Sequence, residues 1–185
     1  MPIDLNLLEI EGKRQEYKDY IEEHRENVKT VWLNILKCPE LRNMVNAGMY
    51  GNQTGTAFEH IISQNIDIHD MSKYSEEEFE PYRRHFYSVN EKEKEESTFD
   101  FGVAWQHHKD NNKHHWDYWS ERHIVNDMPW QYVVEMFCDH AAMSIKFGGT
   151  ALEWFNEQLA NKKIEVGEIQ KTSYLKLAKL YYDKY

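Results

Sequence analysis

Cysteine is almost missing from this chain. Cys38 and Cys138 stand far apart, which excludes a disulfide framework and a cysteine-rich zinc site. Glycine and proline are scarce, at 8 and 4 residues. The alternation of β-branched residues that marks a half-buried strand is nearly absent too, so the helical period dominates. No apolar run approaches the length of a membrane span, and no signal peptide is recognisable at the start. A cytoplasmic protein without a membrane partner is expected. Basic charge is also short: the net charge is −10. That argues against non-specific binding to nucleic-acid backbones, which takes a basic surface. It leaves room for a small phosphorylated substrate held by a metal and one or two cations.

What is present suits a packed helical domain. Of 185 residues, 41% are hydrophobic and 14% aromatic, enough for a core rather than a disordered tail. Periodicity predicts helices over 9–37, 56–66, 76–88, 98–120, 129–147, 150–161 and 167–183. The stretch 42–56 reads as a loop, and 89–97 (VNEKEKEES) as a charged solvated connection. Ser75 before three glutamates has the pattern of a capping box. Gly148 and Gly149 end one helix and Thr150 caps the next. There is no internal repeat and no low-complexity segment, so the expectation is one all-α domain over 1–185.

Histidines fall in unusual places. At 100° per residue, His24 shares a face with Tyr17, Tyr20, Ile21, Val28, Val31, Trp32 and Ile35. A buried imidazole needs a partner for each ring nitrogen, or a metal. A hydrogen-bonded core histidine would satisfy this position as well as a ligand would. Residues 101–119 hold four more: His107, His108, His114 and His115. On a continuous helix His108 and His115 look inward together, among Phe101, Ala104, Trp105 and Trp119. A break at Asn111–Asn112 would change which of the four face inward. On the helix from 129, Asp139 lies at the edge of a polar strip with Gln131, Glu135 and Lys146; the wheel favours solvent there over a polar cavity.

The segment DIHDMSKY (67–74) sets His69 beside Asp70, with Lys73 three residues on. Nitrogen and carboxylate ligands suit Zn, Mn, Fe, Co or Ni, whereas all-oxygen sets suit Mg or Ca. An isolated His-Asp doublet also occurs on ordinary surfaces.

The ordered set carries more. His24, then His69–Asp70, then a distant Asp139, in an all-α chain, resembles the HD superfamily of metal-dependent phosphohydrolases. The resemblance covers about residues 15–150, leaving 151–185 as supporting helices, and implies a compact helical bundle of the HD type. It also implies metal ligation by His24, His69, Asp70 and Asp139. His108 and His115 look like the extra histidines of members that hold two metals. The chain further resembles an uncharacterised bacterial and phage group that shares HDxSK, HHxxNxHHWxYW and a later MxxD. Here those are His69–Lys73, His107–Trp119 and Met136–Asp139. Many nucleotidase-like members have an acid where this chain has Lys73.

The implied activity is metal-dependent hydrolysis of a nucleotide or another small phosphorylated molecule. One or two divalent transition-metal ions (Mn, Co, Ni, Fe or Zn) would be bound. Asp70 would bridge or orient the attacking water. Lys73, with Arg83 or Arg84, would neutralise phosphate charge. Two alternatives remain open at this point: a di-iron oxygenase of the HD type, and a non-catalytic protein that binds or sequesters a nucleotide.

Overall fold

A computed structural model describes residues 5–51 and 55–185. Among these the chain is all-helical, with no strand. The elements in order are α1 (Leu5–Lys37), α2 (Pro39–Ala47), α3 (Ala57–Ile68), a 3₁₀ turn (Met71–Tyr74), α4 (Phe79–Phe86), α5 (Glu91–Glu96), α6 (Thr98–Asn111), α7 (Trp116–Ser120), a second 3₁₀ turn (Val125–Asp127), α8 (Trp130–Phe147), α9 (Ala151–Ala160) and α10 (Glu168–Tyr182). No helix among the described residues is long and apolar enough to cross a membrane.

The chain divides into two compact units. One takes the chain up to His24 together with Asp70–Asn112; the other takes Arg25–His69 and Lys113–Tyr185. The first is held by aromatics. Tyr17 and Ile21 of α1 bury against Tyr82 of α4 and Ala104 of α6. The Tyr17 ring lies 5.2 Å from Phe79 and 5.5 Å from Tyr87, centroid to centroid. Pairs at such separations add to the stabilisation that burial of their area gives.

In the second unit α8 packs against α3 and α10. Its core includes Val28, Ile35, Leu41, Ile62, Val133, Phe137, Phe155 and Tyr174, all essentially sealed from water. Phe155 of α9 stacks on Tyr174 of α10 at 3.9 Å. Gly148 ends α8 at φ 86°, where a side chain would be strained. Thr150 then caps α9 in a reciprocal capping box with Glu153, as its sequence predicts.

Several boundaries differ from the sequence expectation, each for a local reason. The region read as loop from residue 42 begins inside α2. Pro39 opens that helix with φ already set, and Leu41 and Val45 bury beneath it. Residues 52–54 of that expected loop lie outside the described residues. The charged stretch 89–97 contains the short helix α5, whose N-cap Asn90 accepts from the Glu93 backbone N–H. Ser75 does not cap a helix. It follows the first 3₁₀ turn with extended backbone, and α4 starts at Phe79. The expected helix over 98–120 breaks at Asn112, which sits at φ −121°, ψ 80°. The Asn112 amide donates to the His108 carbonyl at 2.9 Å and to Ser72 Oγ at 2.7 Å. A side chain that bonds the last turn in this way competes with continued helix.

Candidate metal centre

In the first unit the donors gather on Asp70. This residue sits at φ 57° in the left-handed region, which aspartate tolerates better than most residues, and its carboxylate is buried. His24 Nε2, brought by α1, lies 3.7 Å from Asp70 Oδ2. His108 Nε2, near the end of α6, lies 3.4 Å from Asp70 Oδ1. Lys73 Nζ lies 2.7 Å from Asp70 Oδ2. Behind His108 is Glu78, wholly buried, which accepts from His108 Nδ1 and from His107 Nδ1, both at 2.8 Å. Burial pushes the Glu78 carboxyl upward, but the hydrogen bond and charge of His108, together with hydrogen bonds from Ser72 and His107, hold the group below its ordinary value. Burial lowers the His108 pKa against the pull of Asp70.

In the second unit the donors gather on α8. Glu135 and Asp139 lie one turn apart, so both carboxylates share a face. His69 caps the end of α3 and is 1% exposed. Arg25 holds its turn, donating from Nε to the His69 carbonyl at 3.0 Å and from its terminal nitrogen to the Asp67 carbonyl at 2.9 Å. His114, also 1% exposed, follows the break after α6, and its ring lies 4.4 Å from that of His69. Both rings meet Glu135 Oε1 with Nδ1, His69 at 3.0 Å and His114 at 3.1 Å. Both turn Nε2 toward Asp139, at 3.9 and 3.8 Å. Burial would raise the Glu135 carboxyl, yet His114 and His69 hold it at about 2. The half-buried His115 ring lies 4.3 Å from His114.

Imidazole nitrogens and carboxylate oxygens are the donor types of transition-metal sites. Buried and half-buried His and Asp side chains fall into groups of three whose ligand atoms lie within 4.8 Å of one another, and these groups could hold a metal ion. They are drawn from His24, His69, Asp70, His108, His114, His115 and Asp139, which include every ligand expected from sequence.

Three placements differ from expectation. Asp139 does not face solvent: its side chain is 14% exposed and turned to the two histidines. His114 joins the donors, because the break at Asn112 resets the helical register. His107 instead stays 35% exposed, bound to Glu78. Both guanidinium groups expected to meet a phosphate are paired with carboxylates. Arg83 is buried between Glu80 and Glu93, and Arg84 lies 3.1 Å from Asp100. Glu78 is not a site candidate in the sequence, and Glu135 reads there only as a member of the polar strip beside Asp139. The one-turn spacing of Glu135 from Asp139 on that strip is the signal that could find it.

Residues 13–178 match a family of unknown function, DUF5662. The chain belongs to that family. Its matched span contains all seven candidate donors, along with Lys73, Glu78 and Glu135. No curated protein and no solved structure matches the chain.

Proposed function

We propose that this DUF5662 chain is a metal-dependent phosphohydrolase of the HD type, acting on a nucleotide or another small phosphorylated molecule. The observation that carries the reading is the set of buried His and Asp donors with a lysine ammonium on one of its carboxylates. The order of His24, His69–Asp70 and Asp139 along separate elements supports it. A divalent transition-metal ion bound by these donors would lower the pKa of a bound water and polarise a phosphoryl oxygen. The remaining work falls to the chain's own groups. Asp70, paired with Lys73 and faced by His24 and His108, orients a water through its carboxylate. Lys73 offsets the charge of the substrate phosphate. Glu78 and Glu135 hold the rings of His108, His69 and His114 in place.

The first experiment is elemental mass spectrometry of the purified protein beside Asp70→Ala and Asp70→Asn, followed by phosphate release from a panel of nucleotides. One or two equivalents of transition metal, lost with activity in the variants, support the reading. No metal in any form after reconstitution with Mn, Co, Fe, Ni and Zn would sink it. Two irons with oxygen consumption would point to an oxygenase, and tight nucleotide binding without turnover to a sequestering protein.

A further inference from the structure

Glu135 is buried at 4% exposure in the middle of α8. A buried carboxylate needs a reason, since burial disfavours its charge. Here every oxygen is spoken for. Oε1 lies 3.0 Å from His69 Nδ1 and 3.1 Å from His114 Nδ1, and Oε2 accepts from the Asn65 amide at 3.1 Å. An ionised carboxylate accepts only, so a neutral His69 ring hydrogen-bonded to it meets it with Nδ1–H, and the same negative oxygen 3.1 Å from His114 Nδ1 favours Nδ1–H there as well. That fixes the tautomer. It leaves both Nε2 atoms unprotonated, with their lone pairs turned toward Asp139. The arrangement is a ladder built from one helix. Glu135 holds the back edges of both rings, and Asp139, one turn later, faces their front edges.

We infer that Glu135 is a positioning residue that makes His69 and His114 paired Nε2 ligands, by locking both in the Nδ1–H tautomer and placing a negative charge behind them. The inference rests on the metal reading above and deepens it. Glu135 fixes how many neutral nitrogen donors the α8 side offers, and it adds charge that favours a divalent cation there. Asn65, in turn, keeps the carboxylate from rotating.

The test uses the full chain freed of metal, with Glu135→Gln and Glu135→Ala beside it. Proton–nitrogen correlation spectra of the imidazoles are recorded at about pH 8.5, well above the ordinary imidazole pKa of about 6.5. His69→Gln and His114→Gln assign the two rings. Zn2+ affinity is measured by competition with a chromophoric chelator. In the wild type both rings are expected as Nδ1–H tautomers. In Glu135→Gln they stay so, because the amide oxygen still accepts once Asn65 turns its own amide over. The lost charge weakens Zn2+ binding, within the 10–100-fold range of lost outer-shell partners. In Glu135→Ala at least one ring reverts to Nε2–H, and affinity falls further. A merely structural carboxylate would move neither tautomer nor affinity. Nε2–H rings in the wild type, or variants binding Zn2+ within twofold of it, overturn the inference. A wild type that binds no metal yet shows the expected tautomers, lost in Glu135→Ala, would refute the metal reading while leaving Glu135 as the residue that sets the two rings.

Discussion

Lys73 Nζ rests 2.7 Å from Asp70 Oδ2, across a single 3₁₀ turn. In a 3₁₀ turn side chains three apart eclipse, so the short motif HDxSK is enough to make this pair. Asp70 enters the turn from the left-handed region, and its carbonyl accepts from the Lys73 backbone N–H at 3.0 Å. The ammonium also lies 5.9 Å from the Tyr82 ring centroid, where the ring face favours a cation.

Lys73→Met should therefore separate metal retention from turnover. Metal content by elemental analysis stays at the wild-type level, because the donors keep their carboxylate. Catalytic efficiency on the best phosphorylated substrate falls roughly 10- to 100-fold, the worth of about 1.5–3 kcal/mol for a hydrogen bond to a charged group. Unchanged efficiency would remove Lys73 from the site.

His114→Ala and His107→Ala should differ sharply. His114 is buried and faces Asp139, so its loss should cut bound metal to a small fraction of wild type. His107 is a third exposed and bonded to Glu78, so its loss should leave metal content unchanged. The exposed His60 on α3 serves as a second control, and His60→Ala should also retain metal. Elemental analysis of the three proteins side by side decides the matter; equal losses would show the donor set to be misassigned.

Arg83 is expected to matter for stability rather than chemistry. It is buried between Glu80 and Glu93, with nitrogen–oxygen distances of 3.0 and 2.8 Å. Removing one partner of a buried pair costs about 3–5 kcal/mol, and the lower end applies because Glu80 is 37% exposed. Both glutamates titrate below their ordinary value of 4.5: burial opposes this, but the arginines win. Carboxylates depressed in the folded state stabilise it above the unfolded value, and that stability fades as pH falls through the folded values. Thermal melts from pH 7 downward should show wild-type stability declining below about pH 4.5. Arg83→Met should start lower and depend less on pH. An equally steep decline in the variant would contradict this account.

Thr150→Ala removes the cap of α9, where the Thr150 hydroxyl accepts from the Glu153 N–H at 3.1 Å. The expected loss is about 1 kcal/mol. For a chain of this size that lowers the melting temperature by about 2–4 °C. Bound metal should not change, and calorimetry with elemental analysis checks both.

Composition and periodicity were enough to determine the all-α class and most helices, because apolar residues at helical spacing can bury only one way. The caps at Gly148 and Thr150 were legible for the same reason: they act on their own turn. The doublet His69–Asp70 with Lys73 was legible because one local 3₁₀ turn, entered from Asp70, brings it together. Three things were decided by tertiary structure. Asn112 ends α6 because its amide finds Ser72, forty residues away, and this break admits His114 to the donors. Asp139 is turned from solvent toward His69 and His114, which other elements bring to α8. Glu135 becomes a partner for two rings only once α3 and the segment after α6 meet α8. A helical wheel orders the faces of one helix; the chemistry of a face depends on which side chains other elements bring to it.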